Sequence, residues 1–175
     1  MDIGCGNGEL TKYLANNVKH KRIIGIDIDP NMISFANQYN KSDTIEYWTQ
    51  DMSLSFDQMI PQLKQLESKV SLIFSNMALH WITNKKLLFE TLSKFLTKNG
   101  SIVANNLLLV DIQKFLSDDK KELFKKYFSI PTEEELIDEV NNAIIENGLT
   151  IHTFNVIHTQ YCVKFKVFAG IVYIN

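Results

Sequence analysis

This chain has little cysteine, little net charge and no long apolar run, and each absence excludes a class of protein. Its 175 residues contain 2 cysteines, Cys5 and Cys162, a number that favours neither a disulfide scaffold nor a metal-ligand pattern. The net charge is −2, and no basic run is dense enough to bind nucleic acid. No apolar stretch reaches the length of a transmembrane helix, and the start does not resemble a signal peptide. We therefore expect a cytoplasmic protein with no metal, membrane or nucleic-acid partner.

What the chain does contain is a glycine-rich loop at residues 2–8, Asp-Ile-Gly-Cys-Gly-Asn-Gly. Gly4 and Gly6 allow a tight turn from a strand into a helix and let a ligand approach the backbone closely. Residues 9–18 then read as a helix, whose free N–H groups would point back at the loop. The pattern predicts a nucleotide-binding loop.

An acidic residue follows this loop at the spacing that ribose recognition requires. Residues 22–27 read as an apolar strand ending in Asp27, about 20 residues past the loop, where a carboxylate can accept hydrogen bonds from ribose hydroxyls. The alternative is a solvated strand end. A dinucleotide fingerprint would need a small residue where Glu9 stands. This argues against the rival prediction, a nicotinamide-dependent oxidoreductase.

Two further strands end in polar residues. Residues 45–50 alternate as a strand and lead into Asp51 and Met52, where the alternative is a turn aspartate. Residues 70–74 form a short apolar run of buried-strand type. That run leads into Ser-Asn-Met-Ala-Leu-His-Trp at residues 75–81.

The D-x-G-x-G-x-G spacing of residues 2–8 resembles the first motif of class I S-adenosylmethionine-dependent methyltransferases. Residues 75–81 resemble the fourth-strand region of a subgroup that acts on carboxylates. That subgroup includes the juvenile hormone acid, trans-aconitate and malonyl-acyl-carrier methyltransferases, and the Leu-His-Trp ending is most similar to the first. The resemblance covers residues 1–110 and is weaker afterwards. It implies S-adenosylmethionine as the cofactor.

The resemblance also implies roles for single residues. Asp27 would bind the ribose, Asp51 the adenine amino group, and Met52 would pack near the base. His80 and Trp81 are the candidate catalytic residues that face the acceptor, against the alternatives of a structural histidine and a core tryptophan. The residues predicted to bind the cofactor are Asp2, Gly4, Cys5, Gly6, Asn7, Gly8, Asp27, Ile28, Met32, Asp51, Met52, Ser75 and Asn76. For Ser75 and Asn76, which end the fourth strand at the switch point, the alternative is that they position the substrate.

A carboxylate acceptor suits a site with few ionisable groups. Its reference pKa is near 4, so it is ionised at neutral pH and needs no general base. Proximity and orientation in a dry pocket are then the enzyme's contribution. We expect methyl transfer to a small-molecule acid of the juvenile hormone acid or farnesoic acid type. A non-catalytic cofactor-binding remnant is a further alternative.

Strands and helices alternate along the chain, which predicts a Rossmann-like, doubly wound, mostly parallel α/β sheet. We expect a helix capped by Thr83 and ending near Lys98, followed by a strand from Ser101. The remaining expected elements are a surface helix over 111–129, a helix from Pro131 to Asn147 with a Thr132–Glu135 capping box, and a strand over 150–157. Residues 165–174 have strand propensity, but the resemblance favours a helix with Phe165, Phe168, Ala169 and Val172 on one face.

The domain organisation follows from these elements. Residues 1–175 form a single domain, with a cofactor-binding core at 1–110 and a substrate-side part at 111–175. Only residues 1–3 can form the first strand, which should be buried on both faces in the middle of the sheet. We therefore expect a fragment without its N-terminal cap, truncated at strand 1 and ending before the last strand. Alone it should be inactive and poorly stable. The oligomeric state is not predicted.

Overall fold

The fold comes from a computed structural model that describes residues 1–107, 133–158 and 166–174. Side chains are described over residues 1–106 and 134–151. The predicted helix over 111–129, the cap residue Thr132 and Cys162 lie outside the described residues. The strands are β1 (Asp2–Ile3), β2 (Ile23–Asp27), β3 (Ile45–Thr49), β4 (Val70–Asn76), β5 (Leu96–Leu107), β6 (Leu149–His158) and β7 (Lys166–Ile174). The helices are α1 (Glu9–Asn17), α2 (Pro30–Tyr39), α3 (Pro61–Lys64), α4 (Lys85–Phe95) and α5 (Glu133–Glu146).

The sheet has the strand order β3-β2-β1-β4-β5-β7-β6. Pairs among β1 to β5 are parallel, and β7 runs antiparallel to both β5 and β6. The strand order reverses between β1 and β4, and such a switch point opens a crevice at the carboxyl ends of the strands. The predicted doubly wound, mostly parallel sheet is confirmed. Its first strand, which we expected over residues 1–3, is Asp2–Ile3.

Apolar side chains pack on both faces of the sheet. The larger core joins Ile3, Ile26, Ile73 and Ile102 of the strands to the inner faces of α4 and α5. A smaller core lies on the other face and contains Cys5, Ile33, Ala36, Ile45 and Tyr47. Burial on both faces explains why the inner strands read as apolar runs.

Local signals set several helix boundaries. Asp29 caps α2, because its Oδ1 accepts a hydrogen bond from the Asn31 N–H at 2.8 Å, and Pro30 follows at the first helical position. The cap predicted for α4 at Thr83 is wrong. Asn84 takes that place, and its Oδ1 accepts a hydrogen bond from the Leu87 N–H at 3.0 Å.

The predicted helix end near Lys98 is also wrong, since α4 stops at Phe95 and β5 begins at Leu96. Leu96 pairs with Val70 of β4 and is buried in the larger core. A Cβ at Gly100 would lie 2.9 Å from the carbonyl oxygen of Val70, so glycine permits the close backbone approach at this irregular start of β5. Pairing with β4 overrides the local helical pattern.

The helix favoured over residues 165–174 is wrong as well. Lys166–Ile174 is strand β7, inserted between β5 and β6. Val103 of β5 faces Ile171 in the register, and Ile171 also faces Thr153 of β6. Two ladders therefore satisfy the backbone, and strand propensity agrees with the outcome. The expectation that the chain ends before a last strand rested on the helix and loses that basis.

Candidate functional site

The glycine loop turns sharply at the carboxyl end of β1. The N–H groups of Gly4 and Cys5 both donate to the Ile26 carbonyl oxygen, at 2.8 and 3.0 Å. Gly4 has a φ of 73°, and a Cβ there would lie 2.1 Å from the Cβ of Ala78. Gly6 also has a positive φ, 53°, but an added Cβ would meet nothing within 4 Å. The loop therefore packs on the segment after β4 at Gly4 and opens into free space at Gly6.

Asp27 connects the end of β2 to this loop. Its Oδ2 accepts a hydrogen bond from the Gly6 N–H at 2.8 Å, and its Oδ1 accepts one from the Asp29 N–H at 2.9 Å. Each carboxylate oxygen keeps a further acceptor position. The neighbouring Ile28 is 63% exposed and Met32 is also exposed, so apolar surface lies beside a half-buried carboxylate.

Four residues of the predicted set support the loop from beneath. Asp2 is buried and its Oδ2 accepts a hydrogen bond from Thr11 Oγ1 at 2.6 Å, while burial raises the pKa of its carboxyl. Burial also raises the pKa of the Cys5 thiol, which keeps it protonated. Asn7 Oδ1 accepts a hydrogen bond from the Glu9 N–H at 3.2 Å, and Gly8 is the N-cap of α1. These four residues therefore hold the turn.

Asp51 and Met52 follow β3, and their side chains lie in different surroundings. Asp51 is half-buried, and its Oδ1 accepts a hydrogen bond from the Ser53 N–H at 2.8 Å, as in the turn alternative. Met52 is buried in the larger core. Gln50, absent from the sequence prediction, donates to the Asp51 carbonyl at 2.9 Å and accepts from the Ile60 N–H at 2.9 Å. Its position, directly before an acid at the end of a strand, was the sequence feature that could have identified Gln50.

Ser75 and Asn76 end β4 on opposite faces of the sheet. Ser75 is fully buried, and its Oγ donates to the Ile3 carbonyl at 2.8 Å, which ties β4 to β1. Asn76 is half-buried, and its Oδ1 accepts a hydrogen bond from Asn105 Nδ2 at 2.9 Å. Only Asn76 of the two presents an amide at the crevice edge.

His80 and Trp81 lie in a 3₁₀ turn, Leu79–Trp81, directly after this edge. His80 is 9% exposed and forms a side-chain hydrogen bond with Asn106, and burial together with the nearby Lys85 charge lowers the pKa of its imidazole to about 4. Trp81 is 70% exposed, and its ring centroid lies 4.9 Å from that of His80. The core alternative for Trp81 is therefore wrong.

Sequence reasoning missed Lys85, which fixes this turn. Its buried Nζ donates to the carbonyl oxygen of Leu79 at 2.9 Å and to that of Ile82. Burial lowers the pKa of Lys85 to about 8, against a partial opposing effect of Glu139. A lysine at the first residue of a helix lies at the positive end of the helix dipole. That unfavourable position was a signal that the side chain has another role.

Asn105 and Asn106 were missed too. They stand at the carboxyl end of β5 and contact Asn76 and His80 respectively. Two consecutive amides within the apolar run of residues 102–110 were the signal in the sequence. They extend the polar edge of the crevice by one strand.

The fold thus gathers the glycine loop, Asp27, Asn76, His80 and Trp81 at the carboxyl edge of the parallel strands. The open space at Gly6, the carboxylate of Asp27 and the exposed apolar Ile28 and Met32 fit a nucleoside, whose ribose and base need polar and apolar partners respectively. No helix in the described part of the chain is both long and apolar enough to cross a membrane.

Comparisons with known proteins agree with this arrangement. A family model described as a methyltransferase domain matches residues 1–156. A protein of Invertebrate iridescent virus 6 that is named as a methyltransferase is 28% identical over 174 residues, covering 94% of this chain and 60% of its own. A malonyl-[acyl-carrier protein] O-methyltransferase of Hahella chejuensis is 30% identical over 109 residues, covering 62% and 36%. The chain spans less than two thirds of the length of these curated relatives.

Among solved structures, an S-adenosylmethionine-dependent methyltransferase from Mesorhizobium loti shares the fold. Its TM-score is 0.72 at 15% identity, and the match covers 98% of this chain and 89% of that protein.

Proposed function

Since this chain belongs to the methyltransferase domain family, we propose that it transfers the methyl group of S-adenosylmethionine to the carboxylate of a small molecule. The sulfonium of that cofactor supplies a methyl group that passes to an aligned nucleophile. A carboxylate is such a nucleophile at neutral pH, because its reference pKa is near 4. The protein must then hold the two reactants in line and exclude water.

The state of His80 carries this proposal. A histidine with a pKa of about 4 is neutral at pH 7 and is a weak base. An efficient general base has a pKa near the operating pH, so His80 is poorly suited to deprotonating an alcohol or an ammonium group. A neutral imidazole can still donate one hydrogen bond. Its role would be to orient an acceptor that arrives already ionised.

Charge near the turn supports an anionic acceptor. The Lys85 ammonium lies close enough to His80 to lower the pKa of its imidazole, and with a pKa of about 8 it is mostly protonated at pH 7. A buried positive charge behind the acceptor position attracts a carboxylate more strongly than it would in bulk water. The name of the Hahella relative, a malonyl-[acyl-carrier protein] O-methyltransferase, points in the same direction.

On the cofactor side, we propose that the ribose hydroxyls meet Asp27 and that the base lies on Ile28 and Met32. Gly6 would let the cofactor approach the loop, and Asp51 would accept a hydrogen bond from the adenine amino group. Asp2, Cys5, Asn7, Gly8 and Ser75 would act by holding the backbone, and Met52 by packing beneath Asp51. In this proposal residues 1–110 bind the cofactor and residues 111–175 contribute to the acceptor side.

Two acceptors fall within the proposed class. The Leu79-His80-Trp81 resemblance favours an apolar acid such as juvenile hormone acid or farnesoic acid, which would lie along the exposed Trp81 ring. The malonyl relative favours a short acid on a thioester. Each of these acids would present one carboxylate to the Leu79–Trp81 turn, so the same methyl transfer to a carboxylate oxygen applies to both.

The test is transfer of labelled methyl groups to a panel of acceptors. Farnesoic acid, a malonyl thioester and trans-aconitate should give base-labile methyl esters, whereas amines, catechols and RNA should remain unlabelled. His80→Ala should reduce ester formation without changing the Kd for S-adenosylmethionine. Labelling of amines or RNA alone would refute the proposal, and cofactor binding with no transfer to any acceptor would favour a non-catalytic remnant.

A further inference from the structure

Two asparagines occupy matched positions at the carboxyl ends of neighbouring strands. Asn76 ends β4 and is the register partner of Asn105 in β5. Nδ2 of Asn105 donates to Oδ1 of Asn76 at 2.9 Å. The chain then leaves the sheet, because Met77 has a φ of 59° while its N–H donates to the Asn105 carbonyl at 2.7 Å.

This hydrogen bond fixes the direction of the Asn76 amide. An asparagine side chain has one oxygen and one NH₂ group. Because Asn105 holds the oxygen, Nδ2 of Asn76 points away from β5. That NH₂ group donates to no residue in the described part of the chain, and Asn76 is only half-buried. Two N–H donors are therefore available at the crevice edge.

Asn105 holds this position at a cost to the fold. Its Oδ1 is buried and has no hydrogen-bond partner among the described residues. An unpaired buried acceptor destabilises a protein, and a β-branched residue would suit a central strand better. A residue that is unfavourable for stability and is held beside the crevice points to a functional role.

We propose that Asn105 is a positioning residue for methyl transfer, which directs the amino group of Asn76 toward the acceptor carboxylate. The position agrees with the glycine loop, since Ile3 pairs with Ser75 and Ala78 contacts Gly4. A carboxylate held by Asn76 would thus lie beside the loop that approaches the cofactor. The inference rests on the proposed function, because it takes the acceptor to be a carboxylate.

The test uses the full chain saturated with S-adenosylhomocysteine and two probes of equal size, octanoate and octanamide. Calorimetry should show tighter binding of octanoate. Asn105→Asp reverses the polarity of the pair, because its carboxylate accepts a hydrogen bond from Asn76 Nδ2 and turns Asn76 Oδ1 toward the probe. We expect octanoate affinity to fall by about tenfold or more, and the preference over octanamide to disappear. The Kd for S-adenosylhomocysteine should not change.

Asn16→Asp is the matched control, because it adds the same charge at an exposed position of α1. It should change neither the affinity for octanoate nor the affinity for S-adenosylhomocysteine. Asn105→Ala is the second variant, for use if Asn105→Asp does not fold. It removes the unpaired oxygen, so the thermal midpoint should not fall, but it frees the Asn76 amide and should weaken octanoate by about threefold or more.

Unchanged octanoate affinity in folded Asn105→Asp, or in Asn105→Ala if only that variant folds, would overturn the inference. So would a wild-type protein that binds the two probes equally or binds neither. Failure of the proposed function gives a different pattern. Octanoate would then bind and respond to Asn105→Asp, while no carboxylate in the acceptor panel formed a methyl ester.

Discussion

Gly4 and Gly6 have similar backbone conformations but different surroundings, which allows stability and binding to be separated. Alanine in a left-handed conformation costs about 1–2 kcal/mol, and this cost applies at both positions. At Gly4 the added Cβ would also lie 2.1 Å from the Ala78 Cβ. Ordinary carbon–carbon contact is about 3.5–4.0 Å, so one chain segment must move, at an overpacking cost of about 1–3 kcal/mol. We predict that Gly4→Ala lowers the free energy of unfolding by about 2–5 kcal/mol.

Gly6→Ala is the matched comparison, because nothing lies within 4 Å of its added Cβ. It should lower the free energy of unfolding by only about 1–2 kcal/mol. The methyl group would instead occupy space proposed for the cofactor, so the affinity for S-adenosylmethionine should fall. Gly4→Ala should weaken binding only as far as it unfolds or displaces the loop.

Urea unfolding followed by tryptophan fluorescence measures the first effect, and calorimetry with S-adenosylmethionine measures the second. Slopes of the unfolding curves must match before midpoints are compared. Equal destabilisation by the two variants would refute the contact between Gly4 and the segment after β4 as a determinant of stability. Unchanged cofactor affinity in Gly6→Ala would place the cofactor elsewhere.

Other predictions concern single side chains. Asp27→Asn should weaken S-adenosylmethionine binding by about 1.5–3 kcal/mol in calorimetry, since charge-assisted hydrogen bonds are lost; an unchanged Kd would place Asp27 outside the site. Burial raises the pKa of Asp2 above 3.8, so the folded state keeps this proton to higher pH than the unfolded state, and stability falls as the pH rises through that window. Asp2→Asn should remove this fall, as seen in urea midpoints of both proteins across the pH range; parallel pH profiles would contradict it. Trp81→Ala should change stability by less than about 0.5 kcal/mol, because the ring is exposed, yet raise the acceptor KM; a large loss of stability would assign the ring to the core. The rate of carboxylate methylation should decline as the pH rises through about 8, where Lys85 loses its charge. Lys85→Arg should move this decline to higher pH. A wild-type rate that does not change across this pH range would exclude the Lys85 charge as a source of acceptor binding.

Much of the architecture could be predicted from the sequence, because it depends on local physics. Gly4 and Gly6 predict positive φ angles, and Asp29-Pro30 predicts the start of a helix. Apolar runs identify buried strands. Each of these patterns depends on a few neighbouring residues, so it can be recognised without knowing which distant segments pack against it.

For residues 165–174 the sequence left two predictions open, because strand propensity and the family resemblance disagreed. Residues 166–174 form a strand because β5 and β6 lie on either side of them. Likewise Leu96 lies in a strand and not in the preceding helix, because it pairs with Val70 of β4. Pairings between distant segments are invisible to periodicity, which records only the faces of one element.

For the candidate site, the sequence pattern was enough to predict which residues cluster. The glycine loop, Asp27 and the turn with His80 and Trp81 all follow strand ends, which a parallel sheet brings to one edge. Which of these side chains face the crevice depends on how the strands pair and pack in the folded protein. Ser75 and Met52 turn into the interior, whereas Asn76 and Trp81 do not. The reason is that register and packing, not residue type, set the face on which each side chain lies.

The electrostatics of that edge also depend on packing between segments that are distant in the sequence. The buried Lys85 and the amides of Asn105 and Asn106 meet Asn76 and His80 only after α4 and β5 have packed. Burial then shifts the pKa of His80 and that of Lys85, because desolvation disfavours their charged forms. The sequence could name an ionisable residue, but its protonation state depends on the surroundings that folding creates.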